Sequence, residues 1–445
     1  MKKLFLIFFV FLILRADVVN DSNINVLDAL NIEDSFLLNP TLQKQYKEYA
    51  YRKKRYFLNI LENGYDILPI IRKRIQKSNI PPELIAVAMA ESYFMLDAKS
   101  DKRARGLWQF MPKTAKRFGL RIDSYVDERL DPIKSTQAAI DYLKYLHDYF
   151  GKWYLAILAY NAGEARVVEA VVRAKVDKLC NIEGEKCQND PDIKKYRKII
   201  REYQQKGSRA YLPLYKLYKK LSHIHITLDD LLRYQPGLKR QYLPKETRKY
   251  IIKILAMSFL FNNDEFLKYS NSYILNSGVT PSFDKVTVPG GTSLFYVARL
   301  LHMSYKELRE HNLHLKNSFT PPYKYYIYIP YKKIAYFKKH FNYKKRYIYT
   351  YKVKKGDSLL KIAKKFGISI RILRDYNRFG RYLRVGQKIV VPLNSRFIKY
   401  KVRNGDSLAG IARRFGISYK KIMRLNDMKS TVIRVGQILK IPQRY

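Results

Sequence analysis

The spacing of apolar residues divides the chain into a helical first part and a second part of short strands and turns. From about Leu68 to Met257, apolar residues recur at intervals of three and four, which predicts α-helices. The predicted helices include Ile70–Lys77, Pro82–Phe94, Pro112–Phe118, Pro132–Phe150 and Trp153–Tyr160. Prolines at helix starts, and glycines such as Gly119, Gly151 and Gly163 at helix ends, support these limits. We therefore expect the first part to be all-α.

Two segments precede this helical part. Residues 1–16 begin with Lys2 and Lys3 and continue with the apolar run Leu4–Leu14, which is typical of a secretory signal peptide or an uncleaved N-terminal anchor. The run is short for a membrane span, and no cysteine follows it, so we do not predict a lipoprotein. Residues 17–67 change from polar to basic and aromatic, and we interpret them as an N-terminal extension packed on the helical domain.

The second part contains an internal repeat. Tyr351–Leu359 (YKVKKGDSL) returns as Tyr400–Leu408 (YKVRNGDSL), and each copy closes with Arg-Val-Gly-Gln and a proline-ended strand. The copies, at 349–392 and 398–442, resemble LysM modules, which are small α+β (βααβ) units that bind glycans containing N-acetylglucosamine. A weaker copy at 285–330 lacks Arg-Val-Gly-Gln and has Thr292 in place of the aspartate, so we interpret it as a degenerate LysM-like module.

The charge of the chain is extreme, with a formal net value of +48. Such a surface attracts polyanions, including nucleic acid, anionic lipid headgroups and acidic cell-wall polymers; the alternative is a basic bias of the whole proteome. The linker 331–348 interleaves lysine with tyrosine, as single-stranded nucleic-acid sites also do. In an exported protein we interpret it as a charged linker and expect no nucleic-acid partner. Association with an anionic membrane surface and the oligomeric state stay open.

The cysteine pair and the histidines bear on metal binding. Cys180 and Cys187 enclose a short stretch with a central glycine, which in an exported protein favours a local disulfide, with two free thiols as the alternative. A zinc site would need further ligands, and His147, His223 and His225 do not have the spacing to supply them. The sequence has no HExxH, phosphate-loop or dinucleotide motif, so we expect neither metal nor cofactor.

Glu91 is the first candidate for chemistry. Leu84, Val87 and Ala88 precede it at helical spacing, which places it on an apolar stripe near the helix C-terminus. Burial and the negative pole of the helix both disfavour a charged carboxylate, and a neutral carboxyl near pH 7 is what a general acid needs. Taken alone, the pattern fits a solvent-facing glutamate at a fraying helix end better.

The motifs that follow Glu91 favour a catalytic role for it over a solvent-facing position. In order, the chain contains Glu91-Ser92, the segment 106–109 (GLWQ), the segment 159–163 (AYNAG) and the segment 243–250 (LPKETRKY). This succession resembles the lytic transglycosylases with a goose-lysozyme-like catalytic domain, and most closely the membrane-bound lytic murein transglycosylase D type. The resemblance implies an all-α lysozyme-like catalytic domain at 68–260, followed by LysM modules. The segment 243–250 lies further along the chain from AYNAG than the corresponding motif does in that family, which indicates an insertion around 175–235.

The same resemblance implies a reaction and a set of residues. The enzyme would cleave the β-1,4 bond between N-acetylmuramic acid and N-acetylglucosamine in peptidoglycan and leave a 1,6-anhydro end. Glu91 would act first as acid and then as base. The substrate-binding residues that it implies are Ser92, Gln109, Tyr160, Asn161 and Tyr250, the last by orienting Glu91. LysM modules would tether the enzyme to the wall in the periplasm.

Two other functions remain open at this stage. A muramidase-type hydrolase would need a second carboxylate, and Asp97, Asp101 and Glu164 are available, although no motif singles them out. A non-catalytic peptidoglycan-binding scaffold would use the same LysM modules. Trp108 could stack on a sugar or belong to the core.

Overall fold

A computed structural model describes residues 18–184, 187, 189–268, 282–343, 348–380, 382–392, 397–415 and 417–442. The predicted signal or anchor segment 1–16 lies outside the described residues. The chain divides into two compact units, one within Met1–Gly119 and Pro132–Thr280, the other within Leu120–Asp131 and Pro281–Tyr445. In the described part of the chain, we find no helix with the length and apolarity needed to cross a membrane.

The first unit is helical, as the apolar spacing predicts. Its helices are α1 (Asp21–Ala29), α2 (Pro40–Lys47), α3 (Lys54–Asn63), α4 (Leu68–Gln76), α5 (Ile85–Ser92), α6 (Pro112–Arg117), α7 (Pro132–Phe150), α8 (Trp153–Ala162), α9 (Glu164–Glu183), α10 (Pro191–Lys206), α11 (Tyr211–Lys220), α12 (Leu228–Leu232), α13 (Lys245–Phe261) and α14 (Asp264–Lys268). A π-helical turn at Glu48–Arg52 separates α2 from α3. The expectation of an all-α first part is confirmed.

Three helices that are apolar nearly all round form the centre of this unit. In α5 every residue from Ile85 to Ala90 is buried, and in α8 the same holds from Trp153 to Ala159. Such helices are stable only when they are surrounded by others. Helix α13 packs against both α5 and α8, and also against α2 of the N-terminal extension. This packing brings Tyr250 of α13 and the end of α8 toward the end of α5.

The predicted insertion forms the end of α9 and the helices α10 to α12. A buried carboxylate connects it to the rest of the unit. Glu169 of α9 is fully buried and accepts hydrogen bonds from Gln204 Nε2 of α10 (2.7 Å) and from Arg240 Nη2 (3.2 Å), and it also pairs with Arg166. Because a buried carboxylate without partners is costly, these bonds fix α10 and the Arg240 loop on α9.

The second unit consists of small modules, each with one antiparallel strand pair. Its elements are β1 (Phe283–Val288), α15 (Leu294–Leu300), α16 (Tyr305–Glu310), β2 (Tyr325–Pro330), α17 (Ile334–His340), β3 (Ile348–Lys352), α18 (Leu359–Phe366), α19 (Ile370–Asp375), β4 (Lys388–Pro392), β5 (Phe397–Lys401), α20 (Leu408–Phe415), α21 (Tyr419–Leu425) and β6 (Ile438–Pro442). The pairs are β1 with β2, β3 with β4 and β5 with β6. The predicted βααβ order is confirmed.

All three modules share an asparagine that joins the second helix to the last strand. Asn377 Nδ2 donates to the carbonyl oxygen of Val390 (2.6 Å), and the Val390 N–H donates to Asn377 Oδ1 (2.6 Å). Asn426 makes the same pair of bonds with Lys440, and Asn312 makes it with Tyr328. The weak first copy therefore keeps the bonds that hold the fold together.

The first copy differs from the others at its first turn. In the other copies an aspartate accepts a hydrogen bond from the strand tyrosine, Tyr351 to Asp357 (2.7 Å) and Tyr400 to Asp406 (2.6 Å). In the first copy Thr292 donates instead to the carbonyl oxygen of Pro289 (2.7 Å). This turn is thus closed without the carboxylate.

Tyrosines of β2 bind the segment Leu120–Asp131 within the second unit. Asp131 is fully buried and accepts hydrogen bonds from Tyr326 (2.5 Å) and Tyr328 (2.8 Å), while Glu128 accepts one from Tyr325 (2.9 Å). These bonds satisfy carboxylates that would otherwise be costly to bury. From sequence we assigned residues 120–131 to the catalytic domain, whereas the structure packs them with the first LysM-like copy.

Candidate active site

Glu91 lies at the end of the buried helix α5 and is hydrogen-bonded to Tyr250 of α13. Tyr250 Oη donates a hydrogen bond to Glu91 Oε1 at 2.7 Å. Burial raises the pKa of Glu91 from 4.5 to about 7. The hydrogen bond from Tyr250 and the positive charge of Lys253 lower this pKa, and the negative charge of Glu246 raises it slightly. The carboxyl group is therefore divided between its acid and base forms near neutral pH.

The end of α5 is closed by a left-handed turn and a lysine. The helix stops at Ser92, two residues earlier than the apolar spacing predicts, because Tyr93 adopts φ 54°. Lys253 Nζ donates to the carbonyl oxygen of Ala90 (2.7 Å) and to Tyr93 Oη (3.2 Å). A cation at a helix C-terminus is favourable. The charge of Lys253 thus stabilises the helix end that carries Glu91 and moderates the rise of the Glu91 pKa.

Sequence reasoning missed Lys253. The sequence spacing could have identified it, because Lys253 follows Tyr250 by three residues and therefore lies on the same face of α13.

The side chain of Ser92 is hydrogen-bonded within the protein. Ser92 is 2 % exposed, and its hydroxyl is hydrogen-bonded to the carbonyl oxygens of Leu107 (2.7 Å) and Ala88 (3.1 Å). It therefore joins the end of α5 to the turn that follows Gly106. The predicted contact of Ser92 with substrate stays a prediction.

Gln109 is held in the same turn by its own side chain. Its Nε2 donates to the carbonyl oxygens of Gly106 (2.8 Å) and Ala98 (3.1 Å), and its backbone takes the left-handed φ of 45°. An amide nitrogen has two protons, and both are used here. The atom of Gln109 that can serve a ligand is therefore Oε1, a hydrogen-bond acceptor.

Trp108 belongs to the core and does not face a sugar. Its side chain has no exposed surface, and Nε1 donates to Thr136 Oγ1 at 3.0 Å. A buried indole needs such a partner. Of the two roles considered from sequence, stacking on a sugar is wrong.

Tyr160 and Asn161 lie at the C-terminal end of α8. Tyr160 Oη donates to the carbonyl oxygen of Trp108 at 2.8 Å. Burial raises the pKa of Tyr160 well above its usual value, and the nearby charge of Glu91 adds to the rise. Asn161 Oδ1 accepts a hydrogen bond from Thr247 of α13 at 2.8 Å. Both residues are thus tied to the elements that carry Glu91 and Tyr250.

Among the residues that the structure describes, no second carboxylate is hydrogen-bonded to Glu91 or Tyr250. Glu164 pairs with Arg117 at 3.2 Å. Among the described residues, Glu246 is the other carboxylate whose charge acts on Glu91, and its side chain is exposed one turn before Tyr250. Neither Asp97 nor Asp101 is among the groups that shift the pKa of Glu91.

The cysteine pair lies away from these residues in the chain. Cys180, in the last turns of α9, and Cys187 have Cα atoms 5.0 Å apart and are joined as a disulfide. Within the described residues no group of three or more His, Cys, Asp or Glu side chains could hold a metal ion.

Comparisons with known proteins identify the domains. Residues 69–179 match the family model of the transglycosylase SLT domain, and residues 351–392 and 400–442 match the LysM domain. Residues 282–343, the weak first copy, match the LysM-like domain of the lytic transglycosylase MltD. The chain thus carries an SLT domain followed by LysM-type domains.

Several curated proteins are similar to this chain. Membrane-bound lytic murein transglycosylase D of Escherichia coli (strain K12) is 26 % identical over 382 residues, which cover 79 % of this chain and 82 % of that protein. A protein of Alteromonas sp. (strain M-1) named for tributyltin chloride resistance is 45 % identical over 102 residues, 23 % of this chain and 49 % of its own length. Peptidoglycan transglycosylase gp16 of Escherichia phage T7 is 43 % identical over 83 residues, 18 % of this chain and 6 % of that protein.

Proposed function

We propose that this lytic murein transglycosylase cleaves the β-1,4 bond between N-acetylmuramic acid and N-acetylglucosamine and leaves 1,6-anhydro-N-acetylmuramic acid ends. The SLT domain and the similarity to the E. coli enzyme support the class of reaction. The observation that carries the proposal is the carboxyl group of Glu91, whose pKa is raised to about 7 and which accepts a 2.7 Å hydrogen bond from Tyr250.

In the first step Glu91 acts as a general acid. Its proton passes to the oxygen of the glycosidic bond, the bond from C1 to that oxygen breaks, and the N-acetylglucosamine side leaves with a 4-hydroxyl group. The 2-acetamido group of the muramoyl residue supports the positive charge that develops at C1. A pKa near 7 keeps a large fraction of Glu91 protonated at neutral pH, which this step requires.

In the second step the ionised Glu91 acts as a base. It takes the proton of the muramoyl 6-hydroxyl, whose oxygen then bonds to C1 and closes the 1,6-anhydro ring. This proton restores the acid form of Glu91, and no water is consumed. The hydrogen bond from Tyr250 Oη stabilises the ionised form between the two steps.

Gln109, Tyr160 and Asn161 would bind the glycan around Glu91. Gln109 would accept a hydrogen bond from a sugar hydroxyl or amide through Oε1, because Nε2 is occupied by backbone oxygens. Tyr160 and Asn161 would line the cleft at the end of α8, where Thr247 and the Trp108 carbonyl hold them in place. Tyr250 would orient Glu91.

The LysM domains would tether the enzyme to its insoluble substrate, since a second binding site raises the local concentration of the first. We further propose that the chain is exported to the periplasm. The predicted signal or anchor segment and the similarity to a membrane-bound enzyme of E. coli support this. The net charge of +48 suits an anionic membrane surface.

A muramidase-type hydrolase is the competing reaction, and Glu246 is the residue that would make it feasible. A retaining hydrolase needs a second carboxylate about 5 Å from the first. Glu246 acts on Glu91 through its charge. A glutamine at this position distinguishes the two reactions, because only a hydrolase would depend on that carboxylate.

The experiment is mass spectrometry of fragments that the full chain releases from purified peptidoglycan. We expect anhydro ends from the wild type and from Glu246→Gln, and none from Glu91→Gln, whose binding to sacculi should persist. Reducing ends that disappear in Glu246→Gln would establish the hydrolase. Lysis that survives in Glu91→Gln would refute the assignment of the catalytic residue.

A further inference from the structure

The predicted insertion closes a cavity that the proposed reaction does not use. The cavity, of about 400 Å³, lies between the end of α7, the start of α8 and residues of the insertion. Tyr154 lines it, whereas Tyr160 of the candidate active site lies about 9 Å further along the same helix axis. Its volume falls within the usual range of ligand pockets, about 300–1,000 Å³. The cavity is therefore large enough for a small ligand and separate from Glu91.

The lining of this cavity is basic. Lys152, Lys175 and Lys219 line it, together with His223 and His225. Among the described residues that line the cavity, Asp148 is the acidic one, and its side chain is 82 % exposed. His225 pairs with Glu33 at 3.5 Å, so the lysines supply most of the uncompensated charge.

Lys175 is the most informative of these groups. It is 7 % exposed, and its Nζ donates to the carbonyl oxygen of Leu221 at 2.8 Å. In the described part of the chain this ammonium forms no ion pair with a carboxylate. Burial, and then the charge of Lys152, lower the pKa of Lys175. A buried cation that is disfavoured in this way would be stabilised by an anion in the cavity.

The walls beside the lysines are aromatic. Lys175 Nζ lies 5.6 Å from the ring centre of Tyr218, and Lys152 Nζ lies 5.5 Å from that of Tyr154. Tyr149 and Phe150 line the cavity as well. Such a lining suits a ligand that presents carboxylates next to small apolar groups.

We propose that this cavity binds the carboxylate-bearing peptide stems of peptidoglycan, so that the insertion serves as a second substrate-recognition site. The inference rests on the proposed function, which makes peptidoglycan the substrate. Peptide stems carry free carboxylates on short, partly apolar residues, and lysine ammonium groups bind carboxylates through charge-assisted hydrogen bonds. Half of the lining, from Lys175 to Ile226, comes from the insertion, which would otherwise have no assigned role.

The binding test uses the full chain with Glu91→Gln, so that no glycan is cut. Titration with a fluorescent stem tetrapeptide, followed by polarisation, should give saturable binding. Lys175→Met keeps the length of the buried side chain, and Lys219→Glu reverses a charge at the exposed rim; we expect each to weaken binding about tenfold or more. Lys195→Met, at an exposed lysine of α10 outside the cavity, is the matched control and should bind like the parent.

The activity test compares two substrates in the background that retains Glu91. Lys219→Glu should slow the lysis of intact sacculi and leave unchanged the turnover of glycan strands whose peptides an amidase has removed. Absence of peptide binding, or equal binding by Lys219→Glu and Lys195→Met, would overturn the inference. Binding of inorganic phosphate or glycerol phosphate at the cavity lysines, without binding of the peptide, would also overturn the inference. If the peptide does not bind but anhydro fragments are still released, the proposed reaction is supported and the second substrate-recognition site is refuted.

Discussion

Replacing Glu91 with glutamine should stabilise the first unit at alkaline pH. In the folded protein the pKa of Glu91 is raised from 4.5 to about 7, so the folded state holds this proton more tightly than the unfolded chain does. The stability that comes from the protonated form is complete below about pH 4.5 and is lost as the pH rises through about 7. Glutamine is neutral at every pH and can still accept the hydrogen bond from Tyr250, so it does not lose this stability.

The size of the effect follows from the pKa difference. Each unit of pKa corresponds to about 1.4 kcal/mol, so ionising Glu91 well above pH 7 costs about 3 kcal/mol of the free energy of unfolding. Between about pH 5 and about pH 8 we expect the wild type to lose about 2.5 kcal/mol relative to Glu91→Gln. For a unit of this size that corresponds to a difference of about 5 °C in Tm.

Tryptophan fluorescence of the full chain is the assay. The chain has 2 tryptophans, Trp108 and Trp153, and both lie in the first unit, so urea unfolding followed by their emission reports on that unit. Glu265→Gln, at an exposed glutamate of α14, is the control and should follow the wild type across the pH range. If Glu91→Gln and the wild type lose stability in parallel from about pH 5 to about pH 8, Glu91 is not desolvated as argued.

Two further predictions test the hydrogen bond on Glu91 and the tether. Tyr250→Phe removes the 2.7 Å hydrogen bond that lowers the Glu91 pKa. The alkaline limb of the kcat/KM profile should therefore move to higher pH, and kcat should fall roughly tenfold. An alkaline limb that does not move would mean that this hydrogen bond does not lower the Glu91 pKa. Ending the chain after Tyr343 removes both LysM domains and should weaken binding to sacculi about a hundredfold, with little change for short soluble glycans; equal losses on both substrates would argue against tethering.

The pairing of Glu91 with Tyr250 was predictable because the motifs that carry them are local and follow one another in a specific order. Glu91 and Tyr250 are far apart in the sequence, yet each sits in a motif with few alternatives, and their 2.7 Å contact agrees with the role implied for Tyr250. The helices were predictable from apolar spacing. The amphipathic stripe expected for the Glu91 helix was not observed, since Ile85 to Ala90 are buried on every side. A short apolar run does not distinguish a stripe from a fully enclosed helix.

Other features depend on tertiary packing and were out of reach. Ser92 stands next to Glu91 in its motif, but the Leu107 carbonyl takes its hydroxyl, which no local pattern reveals. Lys253 acts on Glu91 only because α13 packs beside α5. The lysine-lined cavity brings together Lys152, just before α8, and Lys219 of α11, which are far apart in the sequence. In each case the sequence supplies the residue and long-range contacts decide its neighbours.

The balance of effects on Glu91 explains why one carboxyl group could perform both steps of the proposed reaction. An acid with an ordinary pKa would be ionised at neutral pH and could not protonate the leaving oxygen. Burial without compensation would raise the pKa further, and Glu91 would then give up its proton to the leaving oxygen less readily. Tyr250 and Lys253 oppose the effect of burial, which leaves the pKa at about 7. A Lys253→Met variant should therefore slow the first step, because the cation that favours the ionised form would be gone and Glu91 would be a weaker acid.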